Sequence, residues 1–198
     1  MEKTEYMYVR GPRNNLNIGE ETIKTCTEYK YLGTIISNTG EIDIDIEEKI
    51  IKERRATKAL HGTMYNRHLT KETKRKIFHT VIESITTYGG EMWPLTNKRR
   101  DKIRAVELDY MRRNGGQSSI ASRLENRALR WYGQGHVSQM GKERWPKRIL
   151  EWSPKVRRRR GRPAVEWKTY ITKTMEGKGL EEGDWEDRKY WDLRTANL

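Results

Sequence analysis

Cysteine and phenylalanine are the scarcest residues of this chain, each occurring once among 198 residues. A disulfide needs two thiols and a thiolate zinc site needs several, so the lone Cys26 excludes an internal disulfide and a Cys-rich zinc centre. Because disulfide-free proteins fit a reducing compartment, we do not expect this chain to be secreted.

Long apolar runs are also missing, since only 34% of the residues are hydrophobic while 35% are charged. The longest apolar runs are a few residues, far short of the roughly 20 needed to cross a bilayer, so we expect no membrane span. The N-terminal run MEKTEYMYVRG lacks the apolar centre of a signal peptide. This composition predicts short helical units that pack locally, with disordered or partner-dependent stretches between them.

Acidic residues are too few to balance the basic ones: 28 Asp and Glu stand against 41 Lys and Arg, a net charge of +13. The excess is concentrated in residues 144–168, where ten basic residues oppose two acids and contribute +8. Four consecutive arginines in that window would repel each other unless a polyanion neutralised them. The first-order interpretation is a surface for nucleic acid.

The chemistry of that window supports the same interpretation. Planar guanidinium groups match phosphate oxygens, and indole rings can stack on bases or pack as anchors. The candidate nucleic-acid-binding residues are Arg148, Lys155, Arg157, Arg158, Arg159, Arg160, Arg162, Trp152 and Trp167.

The run Arg160-Gly161-Arg162-Pro163 permits three interpretations. It is similar to the core of an AT-hook, in which an extended backbone lies along an A·T-rich minor groove and its arginines enter the groove. It also suits generic phosphate binding or a nuclear localisation signal. These roles can coexist.

Catalytic constellations are scarce. The four histidines lie at no metal-ligand spacing, and the chain has no Gly-rich phosphate loop, serine elbow or Cys–His pair. Asp43 and Asp45 could hold Mg²⁺ as paired carboxylates, but their place before an apolar-periodic run favours a role at a helix start. We therefore expect no self-sufficient active site and no cofactor or metal.

The predicted fold class is α+β and mainly α, with a small N-terminal sheet followed by helices. Residues 6–9, 18–26 and 29–37 are candidate strands, with Gly19-Glu20 at a turn and Gly33 at a bulge or at a close approach by another backbone. Asp43 and Asp45 mark one helix start, and Thr70 with Glu72 marks the next. An apolar stripe predicts core positions in that second helix: Ile77, Val81, Ile82, Ile85 and Tyr88.

The remaining residues predict more helices. Gly89-Gly90 ends the second helix, and a third from about Asn97 presents Ile103, Val106, Tyr110 and Met111 on one side. Residues 113–122 are Gly/Ser-rich and predict a linker. A helix is expected over 122–132, and a last amphipathic helix is expected after Pro163, ending near Gly177. The acidic, aromatic residues 181–192 could fold back on the arginine run.

Several stretches occur in an order that resembles one family. They are EKTEYM (2–7), YKYLGTIIS (29–37), YGGEMW (88–93), LRWYG followed by HV (129–137), RRGRP with a later Trp (159–167), and GLEEGDWEDR (179–188). The series is similar to the C-terminal part of the endonuclease–reverse transcriptase of non-LTR (LINE-like) retrotransposons. The resemblance covers nearly the whole chain.

The resemblance implies a role for each part. Lys3 would lie near the incoming nucleotide, and Tyr31, Leu32 and Gly33 would form the primer-grip hairpin within residues 1–40, the end of the palm. Residues 41–112 would be a helical thumb, 113–122 a linker and 123–198 a basic, Trp-rich tail. The partners implied are RNA, DNA or their hybrid, together with the catalytic part of such an enzyme. The implied location is the nucleus or a cytoplasmic ribonucleoprotein.

The paired-aspartate motif that binds metal in this family does not occur in the sequence. Two-metal phosphoryl transfer needs those carboxylates, so we expect a non-catalytic fragment that binds nucleic acid through phosphate contacts. The alternatives are a nuclear module that reads A·T-rich minor groove, a protein-interaction fragment, and a translated relic that does not fold stably.

Overall fold

The structure, a computed structural model, describes residues 4–9, 14–114, 120–133, 137–152 and 165–196. Within them a small β region precedes a larger helical part, which confirms the predicted α+β, mainly helical class. The strands are β1 (Glu5–Tyr6), β2 (Leu16–Ile18), β3 (Glu21–Thr25), β4 (Glu28–Tyr31) and β5 (Thr34–Ser37). The α-helices are α1 (Asp43–Ala59), α2 (His61–Tyr65), α3 (Lys71–Ile77), α4 (Glu83–Thr87), α5 (Asn97–Asn114), α6 (Ile120–Gly133), α7 (Trp145–Glu151), α8 (Trp167–Gly177) and α9 (Arg188–Thr195).

The first three strands form a sheet in the order β1-β3-β2. β1 runs parallel to β3, and β2 pairs antiparallel with β3 through a turn at Gly19, whose φ is 63°. The predicted turn at Gly19-Glu20 is confirmed, and it makes the candidate strand over 18–26 into a hairpin. The first strand is shorter than predicted and shifted by one residue.

Residues 29–37, which have the strongest strand pattern in the sequence, also form a hairpin. β4 and β5 pair antiparallel with Tyr31 opposite Thr34, so Leu32 and Gly33 form a two-residue turn. Both have positive φ, 47° at Leu32 and 84° at Gly33, as the type I′ turns favoured in hairpins require. Of the two alternatives predicted for Gly33, the bulge is wrong, because the chain reverses there instead.

Helix α1 begins at Asp43, as predicted, but neither acid caps it. Its N-cap residue is Ile42, and no side chain bonds the free backbone NH groups of the first turn. Asp43 instead pairs with Arg99 of α5, with Arg99 Nη2 2.7 Å from Asp43 Oδ2. That hydrogen bond to the Arg99 guanidinium lowers the pKa of the Asp43 carboxyl. Asp43, like Asp45 with Ile35 and Trp93, therefore forms tertiary contacts. Both acids lie at the N-terminal end of α1, where negative charge is favourable.

The second helical segment starts where the sequence predicts. Thr70 is the N-cap of α3, and its hydroxyl accepts a hydrogen bond from the backbone NH of Thr73 at 3.1 Å. Between α3 and α4 the chain forms a π-helix at Phe78–Ile82. A π-helical turn holds an extra residue and rotates the next turns of the helix, so the apolar face does not keep its 3.6-residue period.

This rotation overturns part of the predicted stripe. Ile82 is buried as predicted, but Val81 and Tyr88 are exposed, while Phe78 is fully enclosed. The glycines end the segment as expected, because α4 stops at Thr87 and Gly89 has a φ of 68°. Tyr88 therefore lies at the surface and not in the core.

The C-terminal helices complete one hydrophobic core with the earlier ones. Ile103, Val106 and Tyr110 of α5 are buried as predicted, and Met111 lies outside the described side chains. α6 buries its apolar face and extends the predicted helix at both ends. The predicted helix ending near Gly177 is α8, which is also part of this core. The described helices of residues 41–112 and 123–198, predicted as thumb and tail, thus share one interior.

Candidate nucleic-acid interface

The tip of the β4–β5 hairpin presents apolar side chains to solvent. Leu32 is 72% exposed and Tyr31 57% exposed. A Cβ atom at Gly33 would lie 3.2 Å from Cε1 of Tyr88, so the hairpin turn packs directly on that ring. The glycine serves both the positive φ of the turn and this close approach.

A buried polar group fixes the orientation of the hairpin. The backbone NH of Ile35 in β5 donates to Asp45 Oδ1 at 2.9 Å, and the indole NH of Trp93 donates to Asp45 Oδ2 at 3.0 Å. Lys49 Nζ lies 3.4 Å from Asp45 Oδ2 and donates to the carbonyl of Tyr88. One carboxylate of α1 therefore joins the hairpin to the segment after α4.

Lys49 is also enclosed by aromatic rings. Its Nζ lies 5.4 Å from the ring centre of Tyr88 and 5.1 Å from that of Trp93. Burial lowers the pKa of the Lys49 amine, and the Asp45 charge opposes that change. The buried pair and its hydrogen bonds hold the hairpin in one arrangement relative to α1.

An open cleft of about 830 Å³ lies between this hairpin and α6. Hairpin residues line one side, α6 residues line the other, and Arg188 of α9 lies at the margin. The lining residues are Tyr31, Leu32, Thr34, Ile36, Tyr88, Gly89, Glu91, Arg127, Arg130, Trp131 and Arg188.

The cleft combines cations with aromatic surface. Its lining residues include three arginines and a single acid, Glu91, so the lining carries an excess of positive charge. Arg127 Nη1 donates to the carbonyl of Thr87 at 3.1 Å, which uses one of the five N–H donors that a guanidinium carries. Forked donors beside exposed rings can hold phosphate oxygens and stack on flat bases.

Trp131 is held in the cleft wall by Trp167. The two rings meet edge to face with centres 5.4 Å apart, and the indole NH of Trp167 donates to the carbonyl of Glu91 at 2.9 Å. Trp167 is half-buried, because it packs against the core. Its place is therefore behind the cleft, where it supports Trp131.

The other predicted site residues lie in separate places. Tyr31, Leu32 and Gly33 are at the hairpin turn, and the first two line the cleft. Arg148 and Trp152 are on α7 and at its end, away from the cleft lining. The remaining predicted residues lie outside the described part of the chain: Lys3, Lys155, Arg157, Arg158, Arg159, Arg160 and Arg162.

Sequence reasoning missed nine of the eleven lining residues, among them the aromatic and cationic ones Tyr88, Arg127, Arg130, Trp131 and Arg188. Four of these five fall within the YGGEMW, LRWYG and GLEEGDWEDR stretches, which was the available signal. Their spacing does not show that they face the hairpin. Tyr88 was assigned to the core because the π-helix could not be seen in the apolar period.

The acidic end of the chain packs on α6. Trp185 lies edge-on to Tyr132 with ring centres 5.5 Å apart, and the ring of Trp191 fills the space beside Gly133. The arginine run that residues 181–192 were expected to cover lies outside the described residues.

Metal-binding clusters and membrane-spanning helices are both absent from the described residues. These residues contain no group of three or more His, Cys, Asp or Glu side chains that could hold a metal ion. No helix among them is long and apolar enough to span a bilayer. Asp43 and Asp45, the pair weighed as Mg²⁺ ligands, are engaged by Arg99, Lys49, Ile35 and Trp93.

No family model, curated protein or solved structure matched this chain in three comparisons with known proteins.

Proposed function

We propose that this chain binds nucleic acid through phosphate contacts, as the non-catalytic hairpin, thumb-like and basic-tail part of a retrotransposon reverse transcriptase. The observation that carries the proposal is the cleft, where Arg127 and Arg130 of α6 face the exposed rings beside the β4–β5 turn. The net charge of +13 and the ordered sequence resemblance support the same function.

The expected chemistry is sequence-independent. Guanidinium groups bind the backbone phosphates of any sequence, and aromatic faces stack on any unpaired base. The proposal includes no polymerase step, because the paired-aspartate motif for two-metal catalysis does not occur in the sequence. The predicted setting remains the nucleus or a cytoplasmic ribonucleoprotein.

The test is fluorescence-anisotropy binding to an RNA–DNA hybrid, an A·T duplex and a G·C duplex, from about 50 to about 300 mM salt. We expect similar affinities and a common slope of log K against log salt on the order of −4 to −7, for about five to eight neutralised phosphates. A clear preference for A·T duplex would favour the minor-groove module instead. Absence of binding at low salt would overturn the proposal.

A charge-matched pair of variants locates the contact. Arg127→Ala with Arg130→Ala should weaken binding to all three ligands and make the slope less negative by about 2, one unit for each lost phosphate contact. Arg54→Ala with Arg55→Ala removes the same charge from exposed positions of α1 outside the cleft lining. Equal losses in both variants would show a general charge effect and no use of the cleft.

A further inference from the structure

Helix α7 exposes a line of apolar side chains on its outer face. Trp145, Ile149 and Trp152 occur at intervals of four and three residues, so they share one side of the helix. Their exposed fractions are 68%, 67% and 69%. Large apolar side chains that are this exposed raise the free energy of the protein in water unless a partner covers them. Contiguous surfaces of this kind mark interaction sites.

The opposite face of α7 is attached to the protein body. Lys147 Nζ donates to the carbonyl of Ser138 at 2.9 Å, and Leu150 packs against the hydrophobic core. Pro146 in the first turn suits the helix start, where its missing NH is not needed. The two tryptophans are therefore presented from a fixed support, about 10 Å apart along the helix axis.

The charges beside the rings indicate the partner. The guanidinium of Arg148 lies 4.6 Å from the ring centre of Trp145, and Arg144 is exposed at the residue before the helix. Among the described residues, no carboxylate forms an ion pair with either arginine. An aromatic face with adjacent unpaired cations suits a polyanion that also carries flat rings.

Three physical reasons favour unpaired nucleotides over other occupants. Bases inside a duplex are already stacked, so only unpaired bases offer free faces to the two indoles. A second copy of this chain, docked through the same face, would bring Arg144 and Arg148 close to their own counterparts. A seven-residue helix is too short to bury much apolar area in a lipid surface.

We propose that α7 is a stacking platform for unpaired nucleotides of single-stranded RNA or DNA, with Trp145 and Trp152 against base faces and Arg144 and Arg148 on phosphates. This proposal rests on the nucleic-acid function proposed above and adds a preference for unpaired strands. The cleft and the platform then contact different parts of a ligand, because α7 does not line the cleft.

The test compares labelled oligothymidine with a G·C duplex of equal charge, each titrated with the full chain. Trp145→Ala with Trp152→Ala should weaken single-strand binding by about tenfold or more per lost ring, while duplex affinity changes by less than about twofold. Leu193→Ala removes an equally exposed apolar side chain, 71% open, from α9 and should leave both affinities unchanged. Circular dichroism should show an unchanged fold, since both indoles are open.

Each outcome has one meaning for the two proposals. If the tryptophan variant keeps full affinity for the single strand, or loses affinity for both ligands equally, the platform is overturned. The cleft can still bind nucleic acid in that case. If sedimentation shows a dimer that this variant dissociates, the face is a self-association surface and the platform is overturned. If the native chain binds neither ligand at low salt, both proposals fail.

Discussion

The indole NH of Trp93 donates a hydrogen bond to Oδ2 of Asp45 across 3.0 Å, although the two residues are 48 positions apart in the sequence. Both side chains are almost completely buried. The same carboxylate accepts the backbone NH of Ile35 and lies beside the Lys49 amine. Asp45 is therefore the point at which the hairpin, α1 and the segment after α4 meet.

Replacing Asp45 should be among the most destabilising single changes in the polar interior. Asp45→Ala removes two hydrogen-bond acceptors and leaves the Lys49 cation buried without its partner, which costs about 3–5 kcal/mol. Asp43→Ala breaks the more exposed pair with Arg99 and should cost about 1 kcal/mol or less. Urea unfolding of both variants measures the difference, and equal losses would contradict the role of Asp45.

Glu53 should make stability depend on pH. Burial raises the pKa of its carboxyl to about 7, and the nearby Glu107 and Glu83 charges act in the same direction. Thr86 donates to Oε2, but Oε1 has no hydrogen-bond partner among the described residues. The folded state therefore holds this proton more tightly than the unfolded chain, in which the carboxyl has its ordinary pKa.

The raised pKa sets the sign of the effect. The contribution of Glu53 is fully present below about pH 4.5 and is lost as the pH rises through about 7, a total of about 3 kcal/mol. Glu53→Gln keeps a neutral side chain at every pH, so its free energy of unfolding should match the native protein near pH 4.5 and exceed it at pH 8. Chemical denaturation at several pH values checks this, and a constant difference would contradict it.

Gly133 should tolerate no side chain. A Cβ atom there would collide with the ring of Trp191, so Gly133→Ala should cost about 1–3 kcal/mol through overpacking. Gly62 of α2 has no atom within 4 Å of such a Cβ, so Gly62→Ala should be neutral or stabilise by about 0.5–1 kcal/mol. Thermal melts of the two variants should move in different directions, and parallel shifts would argue against the packing of α9 on α6.

Tyr31 should contribute to binding in the cleft. Its ring is exposed at the hairpin turn, and Tyr31→Ala should reduce affinity for a ligand with unpaired bases by about tenfold, the loss expected for one stacked base. Tyr29 on the same strand is exposed but does not line the cleft, so Tyr29→Ala is the matched control. Anisotropy titrations distinguish them, and equal affinities would remove Tyr31 from the interface.

Local signals predicted the local features. The Thr70 cap, the helix start at Asp43 and the turn at Gly19 each depend on neighbours within a few residues, and all three are observed. The amphipathic faces of α5 and α8 were predicted from their period for the same reason.

Features set by tertiary packing were not predictable in this way. The π-helix at Phe78–Ile82 shifts the apolar period and releases Tyr88 to the surface. Lys49 and Glu53 are buried although charged residues are seldom buried without partners, and no local pattern in α1 indicates this. The proximity of Arg127 to the hairpin depends on how α6 packs, which the spacing of residues along the chain does not encode.

The packing of Trp191 on α6 couples the docking of α9 to ligand binding in the cleft. α6 carries Arg130 and Trp131 on its outer side, while Gly133 receives Trp191 on its inner side. Anything that binds α6 only in its folded position also stabilises the docked α9 by mass action. Occupancy of the cleft is thus thermodynamically linked to the docking of α9, so a bound nucleic acid should slow proteolytic cleavage within that helix.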